Sequence, residues 1–170
     1  MVRKFIITGG PCTGKTSVIN ELAKDFKVVP EVGREVLKDL KPEQRKTFKI
    51  QYEIFKKFLE ADKKLDGYDG IVFCDMGILC PLAFFRFFGL EFPEKDLEKC
   101  KKESTNYETV FILDPVPFED DDVRKHINDF KKIQELIKEV YEEYGYEVVR
   151  VPLMSVEGRV DFIKKIAFEK

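Results

Sequence analysis

Tryptophan is absent from the 170 residues, and histidine occurs once. The four cysteines, Cys12, Cys74, Cys80 and Cys100, form no CxxC pair. A cysteine–histidine zinc site is thereby disfavoured, and a reducing, cytoplasmic compartment is the expectation. No apolar run approaches the length of a membrane span, and the first residues lack the long apolar segment of a secretory leader, so no membrane partner is expected. Charge of one sign is also missing. Thirty basic and 32 acidic residues are intermixed to a net −2, which gives no global field to draw in nucleic acid. Asparagine and glutamine are scarce beside lysine and glutamate, a composition that leans to a thermophile source. No internal repeat or separating linker is visible, and the length suits one domain over residues 1–170 with a sizeable core.

The organising stretch is Gly9-Gly10-Pro11-Cys12-Thr13-Gly14-Lys15-Thr16. It fits GxxxxGK[ST], in which a glycine-rich turn wraps phosphates with backbone N–H groups. Such a turn needs positive φ and no obstructing Cβ. Lys15 then supplies an ammonium for the β- and γ-phosphates, and the Thr16 hydroxyl a ligand for Mg²⁺. The flanks agree: an apolar run ending Phe5-Ile6-Ile7-Thr8 precedes the motif, and Val18, Ile19, Leu22, Ala23 and Phe26 follow at helical spacing. The helix N-terminus adds its partial positive charge to the cradle, with Ser17 in its first turn. The phosphate-binding set is therefore Gly9 through Ser17.

Downstream, strands and helices alternate. Lys27–Glu31 reads as a short strand ending at a carboxylate, and Val32, Val36, Leu37 and Leu40 as a short helix. Pro42 opens a helix that carries Phe48, Tyr52, Phe55, Leu59 and Leu65 along one side. Ile71–Asp75, Thr109–Asp114 and Glu147–Val151 read as strands, the first two continuous apolar runs ending in aspartate. The phenylalanine-rich segment between Met76 and Gly89 reads as a buried helix or a pocket wall. Helices are also predicted from Pro93 to about Lys102, from Phe130 to Tyr144, and after Ser155 as a cap. This pattern implies a parallel sheet covered on both faces, with ligands beyond the carboxyl ends of its strands. Glu31, Asp75 and Asp114 would gather there with the phosphate loop.

Asp75 stands where a phosphate-loop protein holds Mg²⁺, usually through water; the alternative is a helix cap or structural acid. Two roles stand for Glu31: contact with a substrate hydroxyl, as proton acceptor or sugar ligand, or a first-turn helix acid. Arg34, one turn later, either clamps a phosphate or pairs with Glu31. The charged segment Phe118–Ile127 is either a flap that brings Arg124 to the transferring phosphate or a solvated loop.

With these residues in hand, the chain resembles small AAA-type P-loop ATP-binding proteins allied to the nicotinamide riboside kinase domain. More distantly, it is similar to nucleoside and nucleotide kinases. The resembling stretches are the phosphate loop, Pro30-Glu31-Val32-Gly33-Arg34, Phe73-Cys74-Asp75-Met76-Gly77, and Leu113-Asp114-Pro115-Val116-Pro117 with Asp122-Val123-Arg124. The resemblance implies a three-layer α/β/α P-loop NTPase fold of kinase type with a parallel, about five-stranded sheet. It implies ATP and Mg²⁺, and a small acceptor lying between Glu31 and the helices after Asp75. One departure is Met76, where the related kinases commonly carry arginine.

The leading functional expectation is a Mg-ATP-dependent phosphotransferase acting on a nucleoside, nucleotide or similar small hydroxyl compound, with Lys15, Glu31, Asp75 and Arg124 carrying the chemistry. An NTP hydrolase is the second reading, disfavoured by Met76 standing where a water-activating glutamate would follow Asp75. A nucleotide-binding regulatory module without turnover is the third. No Asn-Lys-x-Asp guanine signature is present.

Overall fold

The computed structural model describes residues 1–104, 106–116 and 129–169. Its centre is β1 (Val2–Thr8), whose Phe5, Ile6 and Ile7 are wholly buried. β3 (Gly70–Asp75) and β4 (Tyr107–Leu113) flank it, while β2 (Lys27–Val29) and β5 (Val148–Val151) form the edges. The order is β2-β3-β1-β4-β5, and every pairing is parallel.

Strand alternation sorts the apolar side chains into two layers. Phe5, Ile7, Phe73, Phe111 and Leu113 face one cluster, completed by Val18 and Leu22 of α1 (Lys15–Leu22) and Val160 and Ile163 of α8 (Val156–Glu169). Ile6, Val72, Cys74, Val110 and Ile112 face the other. There α4 (Phe48–Lys63), α5 (Cys80–Phe87) and α7 (Phe130–Glu143) contribute Phe55, Phe58, Ala83, Ile133 and Ile137, and α6 (Glu94–Ser104) contributes Cys100. This is the predicted three-layer α/β/α arrangement with a five-stranded parallel sheet. Among the described residues no helix is long and apolar enough to cross a membrane.

Local chemistry corrects several predicted boundaries. The helix expected to run from Pro42 is broken into α3 (Pro42–Arg45) and α4. Thr47 between them is extended (φ −79°, ψ 148°). Its hydroxyl donates to Gln44 O at 2.8 Å, and the Gln51 amide donates to Arg45 O at 2.7 Å. Such side-chain bonds give the backbone an alternative to the helical ladder. The first helix stops at Leu22, so Phe26 packs from the turn beyond it. Glu31 lies two residues past β2, just before α2 (Gly33–Leu37). Ser155 caps α8 as predicted, its Oγ accepting from Gly158 N–H at 3.1 Å.

A lysine in the central strand needs compensation. Lys4 is buried and meets both carboxylate oxygens of Asp62 at 2.9 Å. Burial pushes the Asp62 carboxyl above its usual range, and Lys4 pulls it back.

At the end of β3 the chain enters the left-handed region twice in succession, at Met76 (φ 77°) and Gly77 (φ 70°). Met76 N–H still donates to Ile7 O at 2.9 Å, while its carbonyl accepts from the Tyr141 hydroxyl and from Cys80 Sγ. The Tyr107 hydroxyl accepts from Ile78 N–H at 2.9 Å. These buried bonds hold a non-glycine residue in a conformation that costs about 1–3 kcal/mol. A Cβ on Gly77 would lie 2.8 Å from both Ile6 Cδ1 and the Tyr141 hydroxyl, whereas one on Gly67 (φ +76°) would meet nothing within 4 Å. Gly77→Ala is therefore expected to cost about 1–3 kcal/mol more than Gly67→Ala, the overpacking adding to a shared backbone penalty. Urea unfolding of the two variants measures the difference; equal losses would refute the steric account.

Candidate functional site

β1 delivers the chain to the phosphate loop, and α1 takes it away. Within the loop, Gly9 (φ 140°), Cys12 (φ 57°) and Gly14 (φ 75°) have positive φ. A Cβ at Gly9 would stand 3.1 Å from Leu113 O and 3.2 Å from the Thr13 side chain, so the turn closes only around glycine. Cys12 occupies the left-handed region without that freedom, which the motif did not reveal.

The loop's shape is set from outside. Val116 N–H donates to Cys12 O at 2.7 Å, and Arg159 Nη1 donates to Thr13 O at 2.5 Å. In a trans peptide the C=O and the following N–H point opposite ways. Two successive carbonyls held outward therefore send the N–H groups of Thr13 and Gly14 to the other side. The Gln134 side chain of α7 accepts from Gly10 N–H and donates to Leu113 O at 2.9 Å, tying the loop to the end of β4. The Thr13 hydroxyl donates to Gly10 O at 3.0 Å across the turn.

Lys15 opens α1 and is buried. Its Nζ donates to Gly9 O at 2.9 Å and Gly10 O at 3.0 Å, and stands 3.4 Å from Thr13 Oγ1. Pro11 is buried, whereas Thr16 and Ser17 in the first turn of α1 are exposed. Asp75 is buried at the end of β3, in register with Ile7, the residue before Thr8 and the loop. The hard oxygens of the Thr16 hydroxyl and the Asp75 carboxylate suit Mg²⁺. Among the described residues no group of three His, Cys, Asp or Glu side chains could hold a metal alone.

Glu31, half-buried, lies on a narrow apolar cleft of about 40 Å³. Leu37, Gln51, Ile54, Met76, Cys80 and Phe84 line it with Glu31. Arg34 is exposed on α2 and is not among the lining residues. Asp114 lies just beyond β4, where its carboxylate takes two bonds from Arg150 at 2.6 and 2.7 Å and is held below its usual range. Arg124 and the segment Phe118–Ile127 lie outside the described residues.

Sequence reasoning missed Arg159 and Gln134. Both had a signal: Arg159 stands at i+3 from Val156 on the apolar side of α8, and Gln134 at i+4 from Phe130 on that of α7. A polar residue on such a stripe needs a buried partner.

The cysteines divide in the same way. Burial pushes the thiols of Cys74, Cys80 and Cys100 up to about 12, whereas Cys12 is half-buried on the loop. Only a thiolate attacks alkylating agents. Native protein at pH 8 is therefore expected to take one iodoacetamide, at Cys12, and denatured protein four. Peptide mass mapping checks this, and rapid native labelling of Cys80 would contradict the placement.

Solved structures share the architecture. NadR in complex with NAD and AMP-PNP superposes with a TM-score of 0.71 at 16% identity, over 99% of this chain and 50% of that one. This chain thus spans about half the length of that protein. Deoxyadenosine kinase from M. mycoides with bound dATP gives a TM-score of 0.66 at 13% identity, over 96% of this chain and 98% of the other. Shikimate kinase from Aquifex aeolicus gives 0.55 at 21% identity, over 98% and 96%. At such identities the likeness establishes the P-loop kinase-type fold. No curated protein matches the sequence. The family model described as an AAA domain matches residues 4–159, and the chain belongs to that family.

Proposed function

We propose that the protein is a Mg-ATP-dependent phosphotransferase acting on a small hydroxyl compound of nucleoside type. The observation that carries this reading is one juxtaposition: Asp75 ends β3 beside the phosphate loop, and Met76, the next residue, lines the cleft that holds Glu31. A triphosphate site and an acceptor site would thus share a wall.

The N–H groups of the loop and of the first turn of α1 would bind the phosphates, helped by the helix dipole. Lys15 would exchange neutral carbonyl acceptors for phosphate oxygens and stabilise charge that grows during transfer. Thr16 and Asp75 would hold Mg²⁺, which supplies charge neutralisation and alignment of the phosphate oxygens when bound. Glu31 would orient the acceptor hydroxyl and accept its proton. Arg34, exposed on α2, would contact the outer part of the acceptor, and Arg124 is proposed for the transferring phosphate.

The cleft also speaks to the acceptor. Its polar lining comes from Glu31 and Gln51, and among the described residues no lysine or arginine lines it. Met76 stands where arginine would otherwise compensate an anion. An uncharged or cationic acceptor body therefore suits it better than a phosphorylated or carboxylated one.

ADP formation measured with and without a nucleoside panel tests the activity. Acceptor-dependent release is expected; acceptor-independent release would mean hydrolysis, and no release would mean a binding module. Lys15→Ala, folded, should lose roughly a hundred- to a thousandfold in rate, about 2.7–4 kcal/mol of charge stabilisation. Unchanged triphosphate affinity and turnover in that variant would remove the phosphate-loop assignment.

The two carboxylates should separate. Glu31→Gln is expected to slow transfer about a hundred- to ten-thousandfold while leaving Mg-ATP affinity nearly unchanged. Asp75→Asn should weaken the Mg²⁺ dependence with or without acceptor. Titrating Mg²⁺ and ATP against each variant decides it, and the reverse pattern would exchange the roles.

A further inference from the structure

Arg159 is only 2% exposed, yet its guanidinium meets no carboxylate hydrogen-bond acceptor among the described residues. Its three hydrogen bonds among the described residues all go to backbone carbonyls: Nη1 to Thr13 O at 2.5 Å, Nη2 to Asp114 O at 2.8 Å, and Nε to Pro152 O at 3.2 Å. These carbonyls belong to the phosphate loop, the residue after β4, and the residue after β5. One planar fork thus ties three strand-end connections together. Asp114, whose carbonyl it binds, gives its carboxylate to Arg150 instead.

A buried cation is costly unless something repays it. Burial pulls the Arg159 guanidinium below its ordinary range, and Asp114 offsets that only in part. Carbonyl dipoles give each of its three nitrogens an acceptor but leave its charge uncancelled, directly behind the loop. A merely structural strut does not need that charge, since a neutral donor binds carbonyls without it. A Cβ on Gly14 would stand 3.5 Å from Nη1, so the guanidinium also backs the second motif glycine.

We infer that Arg159 is a positioning residue of the phosphate site: it turns the Thr13–Gly14 peptide so that Gly14 N–H faces the phosphates, and adds a fixed positive charge behind them. The inference rests on the phosphate-loop reading above and extends it to a residue 145 positions beyond the motif's second glycine.

Two variants separate shape from charge. Arg159→Gln keeps a neutral donor, and Arg159→Lys keeps the charge without the fork. Titration calorimetry with inorganic tripolyphosphate reads the site without turnover. The fall in tripolyphosphate affinity is expected to be about tenfold or more in Arg159→Gln and smaller in Arg159→Lys. In turnover assays the KM for ATP should rise while that for the acceptor stays within about twofold. Should Arg159→Gln fail to fold, Arg159→Lys decides by the same KM split. Wild-type affinity for tripolyphosphate in a folded variant overturns the inference, as does an equal loss toward phosphate and acceptor. If the wild-type protein itself binds no tripolyphosphate, the phosphate-loop reading fails and takes the inference with it.

Discussion

A backbone amide donates in one direction only, and the loop from Gly9 to Thr16 can offer its N–H groups to an anion only while its carbonyls are kept elsewhere. Everything around the loop serves that constraint. Val116 and Arg159 hold two carbonyls outward, and Gln134 of α7 accepts from Gly10 N–H; Lys15 donates to the carbonyls of Gly9 and Gly10. The partners come from β4's exit, α8, α1 and α7, so the loop's conformation is a property of the assembled sheet and not of eight residues alone. The sheet in turn needs both apolar layers filled, since none of its continuous apolar strands can face water.

The second constraint lies one strand over. β3 must stop at Asp75 and still let the chain turn into α5 without leaving the site. It does so with two left-handed residues, held by hydroxyls of Tyr141 and Tyr107 that are themselves buried. The polar bonds around Met76 therefore sit between the loop and the acceptor cleft. Cys80 joins both environments, 3.2 Å from the Thr8 hydroxyl on one side and lining the cleft on the other.

What was legible in the sequence follows from how local each feature is. The phosphate loop, the strand runs, the Ser155 cap and the strand-end place of Asp75 depend on near neighbours, and reading along the chain finds them. The break at Lys46–Thr47 was hidden because Phe48, Tyr52 and Phe55 all lie beyond it, and the polar stretch from Glu43 to Thr47 has no apolar spacing for a break to interrupt. It took the Gln51–Arg45 and Thr47–Gln44 bonds to reveal why the helix restarts. Arg159 and Gln134 were hidden for a different reason. Their place on an apolar stripe signals burial, but most of their partners are backbone carbonyls and amides more than twenty residues away, or well over a hundred, and no side-chain pattern says which. Of the three acids, Asp75 ends its strand as expected and Glu31 lies two residues past β2, while the carboxylate of Asp114 belongs to an ion pair with Arg150.

The strand order carries a further consequence, in time and not in space. β1 is the first element in the chain, yet its neighbours are β3 and β4, with Phe5 in register with Phe73 and Thr109. A ribosome exposes β1 long before either neighbour exists: its Phe5, Ile6 and Ile7 have no strand to pair with until residues 70–75 have been made, and no second neighbour until residues beyond 100. Pairings this distant in sequence must pay loop closure before they are rewarded, which slows folding. The strand that ends up most enclosed is thus the one that waits longest unprotected, and the nascent chain is most prone to aggregate during that wait.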